Sequence, residues 1–185
     1  MIEELKTETE AHNRKALQAL DEGFNKIRTG RANPSIFDGV QVSYYGNLTP
    51  LKQVANINVE DGRTLAIVPW EKNLVPEIEK AIMKSDLGLN PATSGDKIRV
   101  VMPSLTEETR REMIKVARAE AEKARVSIRS ARRDANATIK ELIKEKELSE
   151  DEGRRGEETI QKLTDKAIAQ VEEHLESKEK ELLTV

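Results

Sequence analysis

The chain has no cysteine. Disulfides and thiolate metal sites are therefore excluded, and the absence fits a reducing compartment. Histidine is nearly missing too: His12 and His174 are the only two, and neither has a partner at ligand spacing. A packing or surface role is expected for both, with no metal site and no cofactor. No apolar stretch approaches the ~20 residues that span a bilayer. The opening Met1-Ile2-Glu3-Glu4-Leu5-Lys6 lacks the basic start and apolar run of a secretion signal. A soluble cytoplasmic protein with no membrane partner is expected. No Gly-rich loop runs into Lys-Ser/Thr, so no independent nucleotide hydrolysis is indicated. Gly153-Arg154-Arg155-Gly156 shares only composition with such a loop, because no strand precedes it. Carboxylates are many but belong to charged helix faces, and no catalytic pair stands out. An enzyme is not expected.

Aromatic residues make up only 3% of the 185 residues, while charged residues reach 35%. That mix suits long amphipathic helices better than a sandwich or barrel. Residues 1–29 place Ile2, Leu5, Thr9, Ala16, Leu20, Phe24 and Ile27 on one helical face, ended by Gly30 and blocked by Pro34. From 31 to 105 the texture changes. All six prolines, five glycines, both tyrosines and the one Trp lie there, and basic and acidic residues balance at eight each. Val40–Tyr45, Val54–Val59, Arg63–Val68 and Ile98–Met102 read as strands, and Pro76–Met83 as a short helix. Gly46-Asn47 and Asp61-Gly62 carry turn chemistry. Helix restarts after Pro103, capped by Ser104 or Thr106, with Ile114, Ala117, Ala121, Ala124, Ile128, Ala131, Ala135 and Leu142 as its seam. Ser149 and Glu152 have capping-box spacing ahead of a last helix with Ile160, Leu163, Ala167, Val171, Leu175 and Leu182 inward.

Helices with such seams need one another. The expected fold class is α+β: an antiparallel three-helix bundle from residues 1–30 and 105–185, with a small β/α/β domain, 31–104, inserted. Two connections then cross between the domains. Thr29, Gly30 and Arg31 on one side and Pro103, Ser104 and Leu105 on the other form a candidate hinge. One bundle of three seams closes within a monomer.

The chain is slightly acidic, with a formal net charge of -3. Yet Arg111, Lys115, Arg118, Arg125, Arg129 and Arg132 share one stripe of the long helix, interrupted only by Glu122. From Arg110 to Arg133 nine Lys/Arg face three Glu, a local net of +6. A placed basic stripe asks for a polyanion, nucleic acid first. The plainer reading is a solvated face salt-bridged to the acidic last helix, since residues 141–185 carry fourteen acids against eight bases. Charge alone does not choose between the two.

Longer motifs add to this. Ile27-Arg28-Thr29-Gly30-Arg31-Ala32-Asn33-Pro34-Ser35, Tyr44-Tyr45-Gly46 with Thr49-Pro50-Leu51, and Lys80-Ala81-Ile82 before Ser85-Asp86-Leu87-Gly88-Leu89-Asn90-Pro91 appear in order. Leu105-Thr106-Glu107-Glu108 and Arg129 to Arg133-Asp134-Ala135-Asn136 follow. Together they closely resemble the bacterial ribosome recycling factor family over essentially the whole chain. One departure is Thr109, where many members begin a pair of arginines; here the pair is Arg110-Arg111. The resemblance implies an L-shaped, two-domain form that acts on the post-termination ribosome. With elongation factor G and GTP it would split the subunits and free messenger and transfer RNA, the GTPase being the partner. It also implies that the bundle binds large-subunit ribosomal RNA through Arg110, Arg129 and Arg132, with Arg28, Arg31 and Arg133 at further basic positions. The competing class is a non-ribosomal helical adaptor that binds another protein through its charged faces.

Overall fold

The computed structural model describes residues 1–184. The chain forms two compact units: Met1–Ile27 with Arg111–Thr184, and Arg28–Arg110. The boundaries expected at 30/31 and 104/105 both fall inside the second unit. Arg28 and the Thr29–Gly30 turn make their contacts within that unit.

The first unit consists of α1 (Ile2–Asn25), α3 (Glu107–Lys144), taken from Arg111 onward, and α4 (Glu150–Leu183). Side-chain pairings fix their directions. His12 meets Ser127, and a Cβ on Gly23 would meet Glu120, so α1 and α3 run antiparallel. Arg118 meets Glu179 and Arg132 meets Gln161, so α3 and α4 are antiparallel as well. His174 hydrogen-bonds Asp21 at 2.8 Å, and a Cβ on Gly156 would meet Ile2, so α1 and α4 are parallel.

The buried seam of α3 is Ala117, Ala121, Ala124, Ile128, Ala131, Ala135 and Ile139. Five alanines keep the neighbouring helices close, because short side chains let backbones approach. Ile139, fully buried, joins the seam between Ala135 and Leu142, while the expected Ile114 and Leu142 are only half-buried. In α1 the buried face runs Thr9, Asn13, Ala16, Leu20 and Phe24, so Asn13 holds a core position with its Oδ1 lacking a hydrogen-bond partner. Gly153 and Gly156 lie buried in the first turns of α4. A Cβ at Gly153 would overlap Ile143 Cδ1, and one at Gly156 would sit 2.6 Å from Ile2 Cδ1. These glycines are close-approach positions between helices. Ser149 and Glu152 complete a capping box at 3.1 and 3.4 Å.

One helix limit differs from expectation. α1 ends at Asn25, because the Lys26 and Ile27 N–H groups tighten onto Gly23 and Phe24 carbonyls. Gly30 lies beyond it as a separate turn with φ +76, a conformation open to glycine at little steric cost. α3 starts at Glu107 with Thr106 as its cap: the Thr106 hydroxyl accepts from the Thr109 N–H at 3.1 Å.

The second unit is richer in strands than the simple β/α/β pattern. β1 (Gln41–Tyr44) and β2 (Asn47–Pro50) pair as a hairpin. A four-stranded antiparallel sheet has the order β3 (Ala55–Val59), β4 (Thr64–Pro69), β6 (Lys97–Val101), β5 (Pro91–Ser94). The register places Ile67 opposite Ile98 and Leu65 opposite Val100. Alternation in β6 sends Ile98 and Val100 inward and leaves Arg99 and Val101 exposed. α2 (Val75–Lys84) adds Ile78 and Ile82 to one core with Phe37, Val42 and Leu51.

Candidate nucleic-acid interface

The basic stripe is not uniform. Its middle is spent on helix-to-helix pairs. Arg118 Nε donates to Glu179 at 2.8 Å. Arg125 Nε donates to Glu172 at 2.7 Å and its Nη1 to Glu122 at 2.9 Å, and the Arg125 side chain is only 17% exposed. The hydrogen bond to Glu172 is the main reason the Arg125 guanidinium holds its proton more tightly still. Its partner responds in kind: that hydrogen bond, foremost, holds the Glu172 carboxyl below its ordinary range, against an opposing burial effect. Two of the six stripe residues therefore follow the plainer reading, paired with the acidic last helix.

The C-terminal part of the stripe is different. Arg129 is half exposed and approaches Glu122 only at 3.6 Å. Arg132 is half-buried; one Nη donates to the neutral Gln161 side chain at 3.1 Å, and its buried Nε has no hydrogen-bond partner. Arg129 and Arg132 line one groove of about 410 Å³ between α3 and α4, with Gln161, Thr164, Asp165, Ile168 and Ala169 on the other wall. Arg133 is exposed beside them. Guanidinium groups at the rim of an open groove with a largely aliphatic floor are able to pair phosphate and to stack on bases. The α4 wall is not recognisable from the sequence, since its membership depends on how α4 registers against α3. Only the pairing of the two seams could have revealed it.

The remaining candidates belong to the second unit. Arg110 is half-buried in the first turn of α3. Arg28 directs its guanidinium to the carbonyls of Asp86 and Leu87, at 3.5 and 3.1 Å, so it braces the loop after α2. Arg31 is exposed, and its backbone N–H donates to the buried Thr29 hydroxyl at 3.3 Å. Around Gly30 the backbone is further held by Ala32 N–H donating to the Gly62 carbonyl at 2.9 Å. On the other connection Arg63 grips Met102 through both backbone and side chain. Pro103, Ser104 and Leu105 follow outside any helix or strand.

Among the described residues no group of His, Cys, Asp and Glu is arranged to hold a metal ion. His12 and His174 are taken up by Ser127 and Asp21. No helix among the described residues is long and apolar enough to cross a membrane.

The comparisons with known proteins decide the family. The family model described as "Ribosome recycling factor" matches residues 20–183. The chain belongs to the ribosome recycling factor family. Relatives agree across their whole length: proteins named ribosome-recycling factor from Saccharophagus degradans and Hahella chejuensis are 63% and 62% identical over 185 residues, covering all of both chains. That from Legionella pneumophila is 57% identical, again over all of both chains. A solution structure of the ribosome recycling factor matches with a TM-score of 0.79 at 40% identity, covering 100% of this chain and 98% of the other. A second match has a TM-score of 0.69 at 45% identity, covering 99% of each chain. It comes from models of the T. thermophilus ribosome recycling factor and the E. coli elongation factor G bound to the E. coli post-termination complex. The family resemblance and the α+β class, a helical unit with a small antiparallel sheet unit, are thereby borne out.

Proposed function

We propose that the chain splits the post-termination ribosome together with elongation factor G and GTP, freeing messenger and transfer RNA and ending protein synthesis. It acts in the cytoplasm, as a monomer and without a cofactor. It is not an enzyme, because the hydrolysed nucleotide is the partner's. The helical unit grips large-subunit ribosomal RNA through Arg129, Arg132 and Arg133, with Arg110, Arg28 and Arg31 as further basic contacts. Thr29–Arg31 and Pro103–Leu105 serve as the two strands of a hinge.

One observation carries the RNA-facing part of this reading. Along α3, Arg118 and Arg125 are neutralised by Glu179 and Glu172, whereas Arg132 faces an open groove with only a neutral partner. Unspent guanidinium charge at a groove is what a phosphate backbone recruits. The experiment is subunit splitting followed by light scattering, with elongation factor G and GTP omitted in turn, for the wild type and Arg132→Glu. Splitting is expected only with both present, and the variant should keep its helical circular dichroism while losing ribosome binding. Wild-type binding by a folded Arg132→Glu would remove the groove from the RNA-facing surface.

A further inference from the structure

The chain has five aromatic residues in all, and they divide sharply. Phe24 and Phe37 are buried, whereas Tyr45 is 72% and Trp70 61% exposed, along with Leu48 on the same hairpin as Tyr45. Scattered exposed apolar residues are ordinary. Here, however, the tyrosines converge on one carboxylate. Tyr44 Oη donates to Glu71 Oε1 at 3.3 Å and Tyr45 Oη to Glu71 Oε2 at 3.1 Å. The two rings meet edge to face with centroids 4.6 Å apart. Trp70 and Glu71 follow directly on β4.

The turn that presents Tyr45 makes this placement costly. Tyr45 has φ +48 and Gly46 φ +82, the pair of left-handed residues of a type I′ hairpin. Asn or Gly occupies the first of these positions readily, whereas a bulky residue there is strained by roughly 1–3 kcal/mol. The hairpin therefore holds a large ring in solvent against its own backbone preference. Strain of this kind collects where function over-determines the backbone. Glu71 is itself oriented from two sides, and each oxygen keeps a lone pair after accepting one tyrosine proton.

A carboxylate held by two tyrosine hydroxyls, beside the exposed ring of Tyr45, suits a planar cation. A guanidinium stacks on indole or phenol and presents forked N–H groups to the carboxylate, while phosphate is repelled by it. We propose that Tyr44, Tyr45 and Glu71 form a docking surface for an arginine-bearing segment of a partner protein. The surface goes beyond the RNA reading of the arginine groove: it has the opposite charge and lies in the other unit.

The backbone amide resonances at positions 45 and 71 report this surface directly. The full-length chain is titrated with capped hexa-arginine, hexalysine and hexauridylate. The expected result is a saturable shift of those resonances with hexa-arginine, several-fold weaker with hexalysine. The change should be weakened about tenfold in Glu71→Gln, the loss of one charged hydrogen-bond partner. Tyr45→Asn, which keeps the turn and removes the ring, should weaken it likewise. A flat response to hexa-arginine, binding by folded Glu71→Gln equal to wild type, or an equal response to hexauridylate overturns the proposal. No ribosome enters the measurement, so each of those outcomes leaves the function of the arginine groove untouched.

Discussion

Arg125 and Glu172 tie α3 to α4 through a 2.7 Å hydrogen bond that is also an ion pair. Because the carboxyl of Glu172 is held below its ordinary value of 4.5, the folded chain binds that proton less readily than the unfolded chain. The stabilisation is complete above pH 4.5 and is lost as the pH falls through the lower folded value. Glu172 is half exposed, so screening keeps the effect small. Glu172→Gln should cost about 0.5 kcal/mol at pH 7, the range of exposed pairs. The difference from wild type should close in strong acid. Urea denaturation of both proteins from neutral pH down into strong acid checks this, and a difference that grows in acid would contradict it.

Ribosome binding should separate the two halves of the stripe. Arg118→Ala with Arg125→Ala removes interhelical pairs and should lower stability slightly while leaving the salt dependence of ribosome binding unchanged. Arg129→Ala with Arg132→Ala should leave stability nearly intact. It should reduce the slope of log affinity against log salt by about 0.7–0.9 for each phosphate that is no longer neutralised. Sedimentation with ribosomes at a series of salt concentrations distinguishes them; the same slope change in both pairs would mean that the paired arginines also meet RNA.

Gly153→Ala adds a methyl group where Ile143 already sits. Replacing glycine inside a helix ordinarily gains about 1 kcal/mol. Here overpacking of about 1–3 kcal/mol should outweigh that gain. Thermal unfolding should therefore show a lower Tm for Gly153→Ala. Combining it with Ile143→Val, which deletes the overlapping Cδ1, should restore most of the loss. Simple additivity of the two changes would argue that α4 shifts to make room.

Gly30→Ala tests the first connection. With φ at +76, a Cβ there costs about 1–2 kcal/mol. Gly30→Pro should be worse, because its ring demands a negative φ. Urea unfolding followed by Trp70 emission reads the loss in the second unit. If both variants match wild type, the turn is re-formed without its left-handed residue.

Much of this architecture is legible from hydrophobic spacing. The alanine seam of α3, the core face of α4 and the Ser149 cap all follow from local rules that need no knowledge of the neighbours. The features that escape such rules need that knowledge. Asn13 lies on the buried face of α1 although its side chain is polar, so a pattern of apolar residues passes over it. β2 and β5 are short, contain Pro50 and Pro91, and are recognisable only from their partners β1 and β6. Gly153 and Gly156 look like loop formers until Ile143 and Ile2 are packed against them. The sequence likewise shows which arginines share a stripe, but the pairing of Arg118 and Arg125, and the opening beside Arg132, depend on the register of a helix tens of residues away.

The division of the chain into units also sets a timetable. The second unit is contiguous, Arg28–Arg110, while the first is assembled from the two ends. During synthesis at about 5–20 residues per second, α1 emerges first and its partner helices last, several seconds later. Through that interval the face carrying Leu20 and Phe24 has nothing to cover it. The small unit is the part able to close early, and α1 is the segment most in need of a chaperone while the rest of the chain is made.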